Sequence, residues 1–183
     1  MSSQTVSTVP NARSFAIRFG VTLLATSGLV VLLLGARGIA YVIRMISSAR
    51  PHAPDLGLIA AAPPAIQIHL ATVLTAVVLA TVQMVGPKGR AFHRVNGWAL
   101  SILLAITAVA SLFIHNPRDG LFNPFQVFSI WTLIAVPWAV LSARRHNVRR
   151  HAAIMSGLYF GALVIAGALT FLPGRLMWRV FFG

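Results

Sequence analysis

VNGWALSILLAITAVASLFIHNP, residues 95–117, runs from Arg94 to Arg118 without a charged side chain. A helix of about 20 apolar residues crosses the ~30 Å hydrocarbon core of a bilayer, and a helix satisfies its own backbone hydrogen bonds there. The stretch therefore reads as a membrane span. Cutting the chain at every other Asp, Lys and Arg leaves four more long uncharged runs, at 19–36, 56–87, 120–143 and 151–174. Five spans follow, expected near 16–38, 65–86, 96–115, 125–144 and 152–173.

Composition agrees with this class. The 183 residues are 57% hydrophobic and 9% charged, with 15 basic against 2 acidic side chains. A nucleic-acid-binding chain would gather its cations on one solvated face of an ordinary soluble composition. Here they punctuate apolar runs, so the expected partner is the lipid bilayer and not a nucleic acid. There is no cysteine, which removes disulfides, thiolate metal sites and covalent c-type haem attachment. The only side-chain carboxylates, Asp55 and Asp119, fall in expected loops, leaving paired-carboxylate catalysis and an acidic intramembrane proton relay without residues. That argues against a pump. No GxxxxGK[ST] or GxSxG stretch occurs.

The first span has a signal-peptide alternative, because its apolar run ends in GARGIA, residues 35–40. Its polar leader and its apolar run are both long for a signal, so it reads as an uncleaved anchor. The chain then divides into a cytoplasmic leader with this anchor (1–50), a Pro-rich outer loop (51–64) and a four-helix transmembrane domain (65–183). In the loop, PHAPDLGLIAAAPP breaks regularity, since proline lacks a donor and disfavours helix before it. Loop cations orient the whole. Arg13, Arg18, Lys88, Arg90, Arg94, Arg144, Arg145, Arg149 and Arg150 share one side, and Arg37, Arg44, Arg50, Arg118, Arg175 and Arg179 the other. The positive-inside rule puts the first set, with the N-terminus, in the cytoplasm of a bacterial inner membrane and the C-terminus outside.

Polar side chains inside the spans mark the faces that avoid lipid. In the third span His93, Gly97, Ser101, Leu104, Ala108, Ser111 and His115 form one stripe, and in the second His69, Thr72, Ala76, Leu79 and Gln83 form another. These two stripes are expected to face each other. The fifth span offers Ala153, Gly157 and Gly161 in small-xxx-small spacing, a helix-packing signal, and Pro137 is expected to kink the fourth. The fold class is thus an all-α membrane protein of five transmembrane helices. Spans two to five form an antiparallel four-helix bundle on which the first leans.

Six histidines remain to be placed. His52 and His146 sit in loops and read as interfacial residues. His93 and His151 open spans three and five on one side, while His69 and His115 lie near the other. Two histidines facing each other across helices can hold haem iron axially, or another imidazole-loving metal. His93 and His115 are ~33 Å apart along an ideal helix, so a single deep site cannot use both. The competing reading is that the four cap helix ends or meet headgroups. Met155, one turn after His151, is an alternative soft ligand or a packing residue. Arg94 is a candidate for a headgroup phosphate, a haem propionate or simple anchorage.

HRVNGW (93–98), entered from LATVQMVGPKGRAF (79–92) and followed by RRHAAIM (149–155), resembles a family of bacterial multi-pass membrane proteins known as a domain of unknown function. Its hallmarks are a histidine early in one helix, a His-Arg-x-x-Gly turn before the next, and a His-x-x-x-Met start to the last. The resemblance covers about residues 65–173 and points to His69, Gln83, His93, Arg94, Gly97, His151 and Met155. The family usually has Arg directly after the last histidine. Here that place is Ala152, preceded by Arg149 and Arg150. The layout is loosely similar to b-type cytochromes and the halves of haem A synthase, which implies haem b as the cofactor, with His93 and His151 as the leading iron ligands and His69 with His115 as a second pair. The expected function is a haem-related or redox role with a membrane redox or assembly partner. The alternative is a non-enzymatic assembly factor or small-molecule transport protein with structural histidines.

Overall fold

The computed structural model describes residues 43–114 and 126–183, together with single positions between 17 and 41. Most of the expected first span, and His115, lie outside the described residues. After a helical stretch that ends near residue 47 come α1 (Leu56–Ala60), α2 (Pro64–Val85), α3 (Ala91–Leu112), α4 (Gln126–Arg144), α5 (Val148–Leu169) and α6 (Leu176–Phe182). Among the described residues there is no strand. Helices α2 to α5 are each long and apolar enough to cross a membrane.

Two starts differ from the sequence expectation, for local reasons. Helix α3 begins at Ala91 rather than near 96, because the Arg94 side chain reaches back to donate to the Gly89 carbonyl at 3.2 Å. A long cationic side chain that snorkels towards the helix end leaves the backbone free to wind. Helix α5 begins at Val148 rather than near 152, since the Asn147 side chain accepts from the Arg150 N–H at 3.1 Å and caps the first turn. It also ends earlier than the expected 173.

The Pro-rich segment is not wholly irregular. Asp55 accepts from the Gly57 N–H at 2.9 Å and starts α1. Helix α6 was not expected. Its carbonyls at Val180, Phe181 and Phe182 accept from the N–H groups of Asp55, His52 and Arg50, lacing the C-terminal helix to residues 50–55.

The core lies between the long helices. Ala76 and Ala80 of α2, Leu100 and Leu104 of α3, Ala135 and Val136 of α4, and Leu158, Tyr159 and Leu163 of α5 are buried together. Small residues on α2 and α4 let the larger ones of α3 and α5 seat against them, the packing that replaces a hydrophobic driving force between helices in lipid. Within α5, residues Leu158–Ile165 wind as a π-helix, which brings the adjacent pair Leu158 and Tyr159 into the core. Among the described residues the expected small-xxx-small contact is not made. A Cβ added at Gly157 or Gly161 meets nothing within 4 Å, and Ala153 is exposed.

Candidate functional site

Polar residues join the apolar helices at both ends. At the end formed by residues 83–97, the Gln83 Nε2 donates to the His93 carbonyl at 2.8 Å, and Asn96 donates to the Gln83 Oε1 at 2.9 Å and to the Leu79 carbonyl at 3.1 Å. Gly97 makes this possible: a Cβ there would stand 3.2 Å from the Gln83 amide nitrogen. At the other end His69 Nδ1 lies 3.0 Å from the Thr107 carbonyl, and the Thr107 hydroxyl donates to Thr72 at 2.8 Å. Polar contacts of this sort are retained because a polar group left unpaired in hydrocarbon is costly.

Asn96 and Thr107 were not among the sequence candidates, although both are buried. The expected stripe is present at Ser101, Leu104 and Ala108, but the buried face also takes in Asn96, Leu100 and Thr107. The signal available was their hydrogen-bonding capacity inside an uncharged run. A search for residues in step with His93 passes over them.

The structure brings His93 and His151 together. Their ring centroids are 6.4 Å apart, with the planes at 79°. His151 Nδ1 lies 3.0 Å from the Ala139 carbonyl of α4, which fixes the ring and places the proton on Nδ1. Its Nε2 is left as the basic nitrogen, the arrangement in which a metal-bound imidazole is held by a carbonyl behind it. His93 Nδ1 is buried and, among the described residues, has no hydrogen-bond partner. Met155 is partly buried and packs against the core. Arg94 anchors the turn before α3.

The surroundings of the pair are basic. Lys88 donates to the carbonyls of Gln83, Met84 and Gly86 at 2.7 to 2.9 Å and so caps the end of α2. Burial pushes its ammonium below the ordinary lysine range. Arg150 stacks 4.3 Å over the Trp138 ring and Arg144 lies 5.6 Å over Trp98.

Two imidazoles bound on opposite sides of one metal ion, each about 2 Å from it, put their ring centres roughly 6 Å apart, which is the spacing of this pair. Donor type and centroid spacing are those that two imidazoles on one ion would need. Two surface grooves, one between α3 and α4 and one between α2 and α3, are lined by neither histidine. Among the described residues no cluster of three or more His, Cys, Asp or Glu side chains forms, so no tetrahedral ion site is assembled.

Four long apolar helices joined by buried polar contacts define a multi-span membrane protein. A family model described as "Predicted membrane protein (DUF2306)" matches residues 66–182, and the chain belongs to that family, whose function is unknown. No curated protein and no solved structure matches the chain.

Proposed function

We propose that the chain is a multi-pass protein of the bacterial inner membrane that holds haem b through His93 and His151 in a redox or haem-related role. The observation that carries this reading is the His93–His151 pair itself, with one ring fixed from behind by Ala139 and the other keeping a buried nitrogen unpaired. Haem would supply one-electron chemistry. The chain's own residues, His93 and His151, would bind the iron and orient the rings.

This reading includes an antiparallel four-helix bundle of spans two to five, preceded by a first span. It is supported by Gln83 meeting His93 near the start of α3, His69 meeting Thr107 near its end, Gln126 reaching the Leu112 carbonyl, and Tyr159 lying 3.2 Å from Thr81. It also includes a cytoplasmic N-terminus, which puts the His93 end inside, and a domain boundary near residue 64. His69 with His115 is the second, outer pair.

The test is the absorbance spectrum of protein purified from cells supplied with a haem precursor. The expected result is a Soret band that shifts on dithionite reduction and is lost in His93→Ala and His151→Ala. A colourless wild-type protein overturns the proposal.

A second reading, a non-enzymatic assembly factor or small-molecule transport protein, is favoured by one observation. His69 and His151 each bridge to a carbonyl of a neighbouring helix, which is a structural role. It predicts loss of stability in His151→Ala with no spectral signature in the wild type.

A further inference from the structure

We infer that the groove between α3 and α4 is a site for one anionic glycerophospholipid, with an acyl chain along the groove and the headgroup phosphate on Arg144. The groove has a volume of about 520 Å³ and is lined by Ile102, Ala105, Pro137 and Val140, with Trp98 and Arg144 at its mouth. That volume falls within the ~300–1,000 Å³ typical of small-molecule sites. Pro137, in the middle of α4, lines the hollow. Trp98, Ile102 and Leu141 are exposed on a face of membrane-spanning helices, where the medium is acyl chain.

Charge selects the headgroup. Arg144 sits at the last turn of α4, where its guanidinium lies 5.6 Å over the Trp98 ring. A guanidinium over an indole is pre-oriented, and it matches a phosphate through two parallel N–H donors. Among the described residues the one side-chain carboxylate is Asp55. It is engaged with the Gly57 N–H beside α1. With 15 basic side chains against 2 acidic ones, most of the chain's cations have no carboxylate of the chain's own to meet. A phospholipid of net negative charge supplies both parts, a phosphate at headgroup depth and a chain to fill the hollow below it.

The experiment is native mass spectrometry of the full chain released from detergent, titrated with phosphatidylglycerol, with phosphatidylcholine, or with inorganic phosphate. The expected result is retention of one phosphatidylglycerol in preference to phosphatidylcholine. Arg144→Gln should weaken this about tenfold, the loss of a charge-assisted contact, and Val140→Trp, which fills the groove and keeps the charge, by a similar factor. Arg149→Gln, an equal change of net charge outside the groove, should leave it unaltered. Equal weakening by Arg149→Gln, retention undisturbed by both Arg144→Gln and Val140→Trp, or displacement by inorganic phosphate alone would each overturn the proposal. Helical content by circular dichroism verifies that each variant is folded before its binding is scored.

Discussion

Asn96 on α3 donates to the side-chain oxygen of Gln83 on α2 at 2.9 Å, while the nitrogen of the same Gln83 amide donates to the His93 carbonyl. The two hydrogen bonds fix which way the amide points and tie the end of one span to the beginning of the next. They also hold the backbone that carries the His93 ring.

Replacing Gln83 by Leu removes both bonds and leaves the buried Asn96 amide with only the Leu79 carbonyl. A buried polar group that loses its partner costs ~1–3 kcal/mol. Thermal unfolding in detergent should show a clear drop in midpoint for Gln83→Leu. Asn96→Leu combined with it should cost less than the sum of the two single changes, because the pair acts as a unit. Strict additivity would show that the amides do not cooperate.

Gly97→Ala tests the same contact from the backbone side. The new Cβ would approach the Gln83 nitrogen to 3.2 Å, tight enough that the amide must shift. The variant should be destabilised in wild-type protein and close to neutral in a Gln83→Ala background, as measured by the same melts.

At the far end, the Thr72 and Thr107 hydroxyls are bonded at 2.8 Å. Bonds between membrane helices average only ~0.6 kcal/mol and reach ~1.7 at most. A double-mutant cycle of Thr72→Val and Thr107→Val should give a coupling in that range, smaller than the effect of Gln83→Leu.

Asn147→Ala should cost about 1 kcal/mol, the loss of the side-chain acceptor that starts α5. Asn147→Asp keeps the acceptor and should restore most of the midpoint. The comparison of the two melts isolates the cap from any other effect of the turn.

Much of this architecture is legible in the chain because lipid imposes a coarse rule. Uncharged runs longer than a bilayer is thick have to be helices; the expectation of 65–86 lies within one residue of α2, and the expected end at 144 is the end of α4. The ends of α3 and α5 were less readable. Arg94 and Asn147 act there through side-chain geometry, and a rule that stops a helix at each charge cannot register a cation folding back along its own turn. At the candidate site, the position of the histidines on their helices was visible in the spacing. Their separation of 6.4 Å depends on how α3 and α5 cross, which periodicity within one helix does not encode. Asn96 and Thr107 were passed over for a related reason. The partners of both are on α2, and which residue of a polar-capable face finds such a partner is decided by the neighbour.

The wide winding of Leu158–Ile165 also sets a rotational phase. Each residue of an ordinary helix turns the chain by about 100°, so deleting one residue from this stretch would swing everything beyond it round the helix axis by roughly a quarter turn. The chain beyond it leads to α6, whose last carbonyls meet the amides of Arg50, His52 and Asp55. A widened coil in the middle of the last span thus acts as the spacer that aims the C-terminus at its clasp with residues 50–55, near the other end of the chain.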